Sequence, residues 1–180
     1  MTATNTTDGI QQIPPIGRYQ IDIQRSAVTF KCRHLFGLAR VRGTFAIRNG
    51  VIDVTDPVAD SHVQVQIDTA SFHTGNRQRD RDVRSARFLD VGRYPSMTFT
   101  SQRLRRSGNP PALTGTLTVR DVARPVTLTI EQSAVQNGMP PSFTTRATTR
   151  IDRTEFGLTA AKGMAGRYLD VSLQIRWVAR

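Results

Sequence analysis

From Gly17 onward the chain is patterned with period two. Val28, Phe30 and Cys32 alternate with Thr29, Lys31 and Arg33, and Val41, Gly43, Phe45 and Ile47 alternate with Arg42, Thr44 and Arg48. The same rhythm returns in Val63, Val65 and Ile67, in Met97 and Phe99, and in Leu113, Gly115, Leu117 and Val119. It continues in Val126, Leu128 and Ile130 and ends in Val171, Leu173, Ile175 and Trp177. Successive side chains of a strand point to opposite faces, so each run predicts a strand with an apolar row inward and a polar row in water. A weaker strand is expected near Phe143–Ile151 and a short one near Tyr19–Ile23. Asn49-Gly50, Asp56-Pro57 and the segments 107–111 and 137–141 carry turn chemistry, and Asn49-Gly50 reads as a tight hairpin.

One stretch breaks the alternation. Residues 75–90, GNRQRDRDVRSARFLD, carry charge in blocks, with Val83, Ala86 and Phe88 spaced like one helical face. They predict a short amphipathic helix over about 76–87, closing one end of the sheet structure. A second helical turn is expected around Leu35–Ala39. Eight or so antiparallel strands with one apolar face each form a sandwich or a closed barrel, and closure removes the exposed edges. At about eight strands a barrel is either filled by side chains or holds one small ligand. The inward rows are mostly Val, Leu, Ile and small residues, which suits both outcomes.

Composition narrows the class more than the function. A length of 180 residues fits one domain over 17–180, preceded by a polar, Thr-rich flexible leader over 1–16 that ends at Pro14-Pro15. With 38% hydrophobic and 22% charged residues, the chain reads as neither a membrane protein nor a disordered one. The leader has no cationic start and no apolar core, so no signal peptide is expected, and a cytoplasmic location follows. No apolar run approaches the ~18 residues of a spanning helix.

Charge adds a second possibility. Lys and Arg number 25 against 14 acids, giving +11, and only Lys31 and Lys162 are lysines. Guanidinium groups bind phosphate bidentately, yet an arginine-rich coding bias is the plainer source of such a balance. A nucleic-acid barrel displays aromatics on exposed strand faces for base stacking. Here Phe falls on the inward rows while Thr, Gln and Arg face out, so nucleic acid is not expected as a partner. Loose anion binding or transient contact with a membrane surface is compatible with the charge.

Catalytic chemistry finds no foothold. His34, His62 and His73 form no HxH or HExxH pattern, and Cys32 is the only cysteine, so neither a metal site nor a disulfide is expected. His34 ends an apolar row and His73 lies near the predicted helix, where a single His usually hydrogen-bonds. The run Arg79-Asp80-Arg81-Asp82 reads as a solvated helix face with cancelling charges. No nucleophile–base pair can be named, so a non-enzyme without cofactor is expected.

The order of motifs resembles the YceI-like family of lipocalin-like, polyisoprenoid-binding proteins, from Gly17 to Trp177. The opening YQIDIQRSAVTFKCRHLFGLARVRGTF is similar to that family at Asp22, Ser26, Phe30, His34, Gly43 and Phe45. The central stretch matches at Ser71, Thr74, Arg79, Asp80, Ser85, Phe88, Asp90, Tyr94, Pro95, Phe99 and Ser101, and the late segment at Arg153, Phe156 and Gly157. Asp82, Arg87 and Leu89 depart from the family pattern, all in the predicted helix region. The resemblance implies an extended eight-stranded antiparallel barrel with a long apolar pore and an isoprenoid of polyprenyl or prenylated-quinone type as its ligand. It also makes a homodimer a fitting assembly.

Burying an isoprenoid tail recovers about 0.8 kcal/mol per methylene-sized unit, so such a ligand needs shape and an apolar lining more than polar chemistry. The candidate lining is Val28, Phe30, Phe45, Ile47, Val65, Ile67, Met97, Phe99, Leu117, Val119, Leu128, Ile130, Leu173 and Ile175, with His34 at the mouth. Arg79, Asp80, Phe88, Asp90, Tyr94 and Pro95 are expected as framework, Arg79 and Asp80 pinning the helix to the strands.

Overall fold

In the computed structural model, which describes residues 11–34 and 38–180, the chain forms one antiparallel sheet that closes on itself. Its strands are β1 (Gly17–Ile21), β2 (Ala27–His34), β3 (Ala39–Phe45), β4 (Ile47–Val54), β5 (His62–Asp68), β6 (Ser96–Arg105), β7 (Ala112–Val119), β8 (Val122–Gln136), β9 (Ser142–Asp152) and β10 (Ala165–Ala179). The ring runs β1-β4-β5-β6-β7-β8-β9-β10 and shuts where β1 pairs with β10. β2 takes over from β1 further along β10, and β3 pairs with β2. β1 and β2 are thus two halves of one bent strand, broken by the 3-10 turn Ile23–Arg25, and β3 and β4 are two halves of another, bent at Ala46. Counted this way the barrel has eight strands, as the family resemblance implies and in line with the eight or so that the alternation predicts.

Each bend leaves a backbone N–H without its ladder partner, and a buried one is costly. Serines fill these places. Ser26 Oγ accepts from Arg176 N at 2.9 Å beside the first bend, and Ser71 Oγ accepts from Ala46 N at 2.7 Å at the second. Ser101 Oγ accepts from Val63 N at 2.7 Å, next to the register shift between β6 and β7. These three serines are among the residues that carry the family resemblance, and their work is to satisfy the backbone where the sheet must curve.

Asn49-Gly50 is not the hairpin that its sequence suggests. Both residues lie inside β4, where Gly50 registers with Val65. The glycine is needed for close approach: a Cβ there would lie 2.3 Å from Ile21 Cδ1. Asn49 follows a register shift and its Nδ2 donates to Gln66 Oε1 at 3.0 Å.

The helix is shorter than expected. α1 (Arg77–Arg84) starts at Asn76, whose Oδ1 accepts from Arg79 N at 2.9 Å, and stops at Ser85. The apolar stripe does not stay helical: Ala86 is exposed, while Phe88 and Leu89 turn inward beyond the helix end. Asp90 takes φ 48°, and its carbonyl accepts from Arg93 N and Tyr94 N. Of the turn expected at Leu35–Ala39, residues 35–37 lie outside the described residues and Ala39 already begins β3.

Residues 1–10 of the expected leader also lie outside the described residues. Gln11 and Gln12 are tied to β8: Gln12 N donates to Ser133 O at 2.8 Å and Gln12 Oε1 accepts from Val135 N at 2.6 Å. No described helix is long and apolar enough to cross a membrane.

Candidate functional site

Inward rows from all sides of the barrel leave a lumen with two lobes. The far lobe, about 220 Å³, is walled mainly by strand side chains of β4 to β10, with Val28 of β2 and residues 11–14 completing it. The cap lobe, about 620 Å³, lies under α1 and the turns around it. Val28, Ile67, Ile151 and Val171 line both, so the lobes meet at a waist. The core divides the same way. One buried cluster gathers Tyr19, Phe99, Phe143 and Trp177 with aliphatics; the other gathers Phe30, Phe72, Leu89, Met97, Val119, Phe156 and Leu158.

The structure brings the predicted lining together. Ile47, Val65, Phe99, Leu117, Leu128, Ile130, Leu173 and Ile175 face the far lobe, Phe30, Phe45, Met97 and Val119 the cap lobe, and Val28 and Ile67 both. The backbone of His34 ends β2, and its side chain lies outside the described part of the structure. Alternation places Trp177, Phe30 and Phe45 on inward rows, but it does not reveal the contacts by which Tyr19, Phe143 and Phe72 close the ends. At the far end Tyr19 meets Phe143 edge-on at 5.0 Å and Phe143 stacks on Trp177 at 6.1 Å. There Ile13 and Pro14 join the lining. At the cap end Phe72 stacks on Phe30 at 5.3 Å and meets Phe45 at 5.4 Å.

The cap is held by buried polar groups. Asp80 is only 4% exposed and is not the solvated residue that its charged neighbours suggest. It accepts from Thr74 N at 3.0 Å and from Thr74 Oγ1, with His73 Nδ1 at 3.3 Å. Burial alone would raise its pKa, but the bonds from Thr74 and the charges of His73 and Arg84 outweigh it and hold the carboxyl below its ordinary range. Arg79 Nε donates to Thr74 Oγ1 at 2.7 Å while its side chain lines the cap lobe. Asp80 thus ties α1 to the segment that follows β5, where the expectation is that it pins the helix to the strands. Thr69 Oγ1 and Thr69 N donate to the carbonyls of Tyr94 and Pro95, joining that segment to the start of β6.

Arg153 is the residue that sequence reasoning placed in the family pattern but not in the site. It is 7% exposed in a 3-10 turn after β9 and donates to the carbonyls of Leu158, Ala165 at 3.0 Å and Gly166 at 2.8 Å. Its guanidinium lies 5.7 Å from the centroid of Phe88. One cation therefore fastens the loop before β10 to the turn after α1. Cys32 faces the cap lobe, half-buried; burial raises its thiol pKa against the opposing charges of Arg79 and Arg153.

This geometry is an apolar tube with a polar-framed cap. Residues 19–179 match the YceI-like domain. The chain belongs to the YceI-like family. Protein YceI of Escherichia coli O157:H7 is 34% identical over 168 residues, which cover 89% of this chain and 86% of that one. A UPF0312 protein of Enterobacter sp. (strain 638) is likewise 34% identical, over 89% of this chain and 85% of its own. Among solved structures, Burkholderia cenocepacia BcnA superposes with a TM-score of 0.73 at 22% identity, covering 87% of this chain and 98% of that one. A polyisoprenoid binding domain from Saccharophagus degradans superposes with a TM-score of 0.67 at 16% identity, covering 90% and 98%. The YceI-like barrel is thus shared at the level of fold. Asp82 and Arg87 pair with each other at 3.2 Å on the rim of the cap lobe.

Proposed function

We propose that the protein binds a long isoprenoid lipid, of polyprenyl or prenylated-quinone type, in the lumen and stores or carries it without catalysing a reaction. The single observation that carries this reading is the two-lobed tube, whose strand walls are mostly apolar and whose charged and amide side chains lie toward its ends. Together the lobes fall within the roughly 300–1,000 Å³ range of ligand sites. Family membership and the likeness to a polyisoprenoid binding domain support the ligand class.

Energetics favour a long tail over a short one. Each isoprene unit adds roughly five methylene-sized groups, or about 4 kcal/mol of gross burial. Association costs about 4–15 kcal/mol before any affinity appears, so the first few units offset that cost and later ones give net binding. The narrow far lobe suits the tail, and the cap lobe, with Arg79, Asn76 and Gln78 at its rim, suits a polar head. Organic extraction of purified protein followed by mass spectrometry should release a prenylated compound. An empty extract, combined with no uptake of added polyprenol, rejects the proposal.

A further inference from the structure

The outer wall of the cap lobe carries charges that neither packing nor an apolar ligand requires. In the β2–β3 hairpin Lys31 stands directly opposite Arg42, and Arg33 opposite Arg40. All four are exposed. Like charges facing across an antiparallel pair destabilise it, and among the described residues none of the four has a carboxylate within ion-pair distance. Lys31 registers with Asp170 across β10, but Asp170 pairs with Arg150 at 3.5 Å. Arg150 and Arg167 cover Tyr168 from 4.7 and 5.1 Å. These side chains line a groove of about 300 Å³ on the outside of the barrel, and its residues Cys32 and Gly166 also line the cap lobe.

Apolar side chains stand in solvent at the same end. Leu38 is 89% exposed, Met164 52% and Tyr168 43%. Leu38 directly precedes Ala39, which registers with His34, and His34 registers in turn with Ala165, the residue after Met164. Leu38 and Met164 therefore gather at one edge of the barrel, beside the unpaired cations, and Met164 also lines the cap lobe. We propose that this end docks on an anionic lipid bilayer. Lys31, Arg33, Arg40 and Arg42 meet headgroup phosphates, while Leu38, Met164 and the amphipathic Tyr168 enter the interface. The cap lobe then opens against the membrane, and an apolar ligand passes between lumen and bilayer without entering water. Nucleic acid fits less well: Tyr168 is the exposed aromatic among the described residues, and two guanidinium groups already cover it.

This surface goes beyond lipid carriage, and its test reads the patch whatever the lumen holds. The full chain is co-sedimented with vesicles of phosphatidylcholine containing one third phosphatidylglycerol, and with vesicles of phosphatidylcholine alone. Capture is expected with the anionic vesicles and should weaken as salt screens the charges. Each basic side chain near an anionic leaflet is worth about fivefold in partitioning, so combining Arg33→Gln, Arg40→Gln and Arg42→Gln should lower capture about a hundredfold. Melting of that variant at or above the temperature of the unmodified chain would confirm its fold, since like-charge pairs have been relieved. Removing the same charge elsewhere, with Arg103→Gln, Arg105→Gln and Arg106→Gln, should leave most of the capture intact. Equal loss in both variants, equal capture by neutral vesicles, no capture at low salt, or oligonucleotide binding at the patch without vesicle capture would each overturn the proposal.

Discussion

The far lobe and the cap lobe belong to one lumen, yet they are held by different forces. The far lobe is walled by side chains of paired strands, closed by Tyr19, Phe143 and Trp177, and stabilised by apolar contact within a continuous ladder. The cap lobe is roofed by a short helix and 3-10 turns whose side chains have no ladder to fix them. Its order rests on two buried charges: Arg153, which donates to three backbone carbonyls, and Asp80, which accepts from the backbone N–H and hydroxyl of Thr74 with His73 beside it. Apolar burial is non-directional and tolerant of small shifts, whereas a buried charge loses its stabilising effect once a partner leaves. The comparison predicts a rigid inner tube beneath a cap that opens first.

Arg153→Met tests this most severely. It keeps the bulk and leaves the carbonyls of Leu158, Ala165 and Gly166 without their donor. An unsatisfied buried acceptor costs about 1–3 kcal/mol; with some rehydration at the rim, the expected loss is about 3 kcal/mol, or roughly 6–12 °C in Tm. Hydrogen exchange should quicken in 156–169 and around Phe88 while β6 to β8 keep their protection. Arg153→Lys should not rescue it, because one ammonium cannot span the fork that a planar guanidinium serves. A loss below about 1 kcal/mol would mean that packing, not this cation, holds the cap.

The same division explains what was legible in the sequence. Alternation places Val65, Phe99, Leu117 and Leu173 on the lumen side because a strand's geometry repeats every two residues. Phe72, Leu89, Phe156 and Leu158 close the cap from turns and 3-10 segments, where no period links sequence position to direction. The charge pattern alone makes Asp80 a surface residue because its four-residue run cancels locally, and only the family resemblance marks it as framework; the fold brings Thr74 and His73 onto it. Asn49-Gly50 misleads for a related reason. A local pair cannot tell a glycine that turns the chain from one over which a distant Ile21 lies.

Two further glycines give a matched pair, one per lobe. A Cβ on Gly115 would lie 2.5 Å from Phe99 Cζ and 2.5 Å from Thr100 O, while on Gly43 it would lie 2.3 Å from Phe30 Cζ and 2.7 Å from His73 O. In both Gly115→Ala and Gly43→Ala the ring must move and the backbone neighbour must shift, an overpacking cost of about 2 kcal/mol. The functional outcomes should differ. Gly115→Ala pushes Phe99 into the far lobe and should shorten the bound tail, read as the chain-length distribution of extracted ligand. Gly43→Ala presses Phe30 toward Phe72 and should slow uptake without changing that distribution. Identical ligand profiles and rates in both variants would remove the division of labour between the lobes.

The smallest effect separates the lobes by pH. Asp152, at the cap end of β9, is hydrogen-bonded by Arg167 and, against the opposing effect of burial, by Thr154, which lowers its pKa from 3.8 to about 2. Asp80 is shifted in the same direction. A carboxylate whose folded pKa lies below its unfolded value stabilises the protein above the unfolded pKa and loses that contribution as pH falls through the folded one. The cap should therefore weaken below about pH 4, approaching pH 2. Tyr19 behaves oppositely: burial raises its pKa above 10.0, so its contribution is present at lower pH and is lost as pH rises through the folded value. Trp177, the only tryptophan, stacks on Phe143, which meets Tyr19, so its fluorescence reports the far lobe. In acid, exchange at the cap should quicken before Trp177 emission shifts, and Asp152→Asn should flatten that acid limb. In base, Trp177 should respond first, and Tyr19→Phe should remove that response. Simultaneous change of both probes at both extremes would mean that the two lobes unfold as one unit despite the different forces that build them.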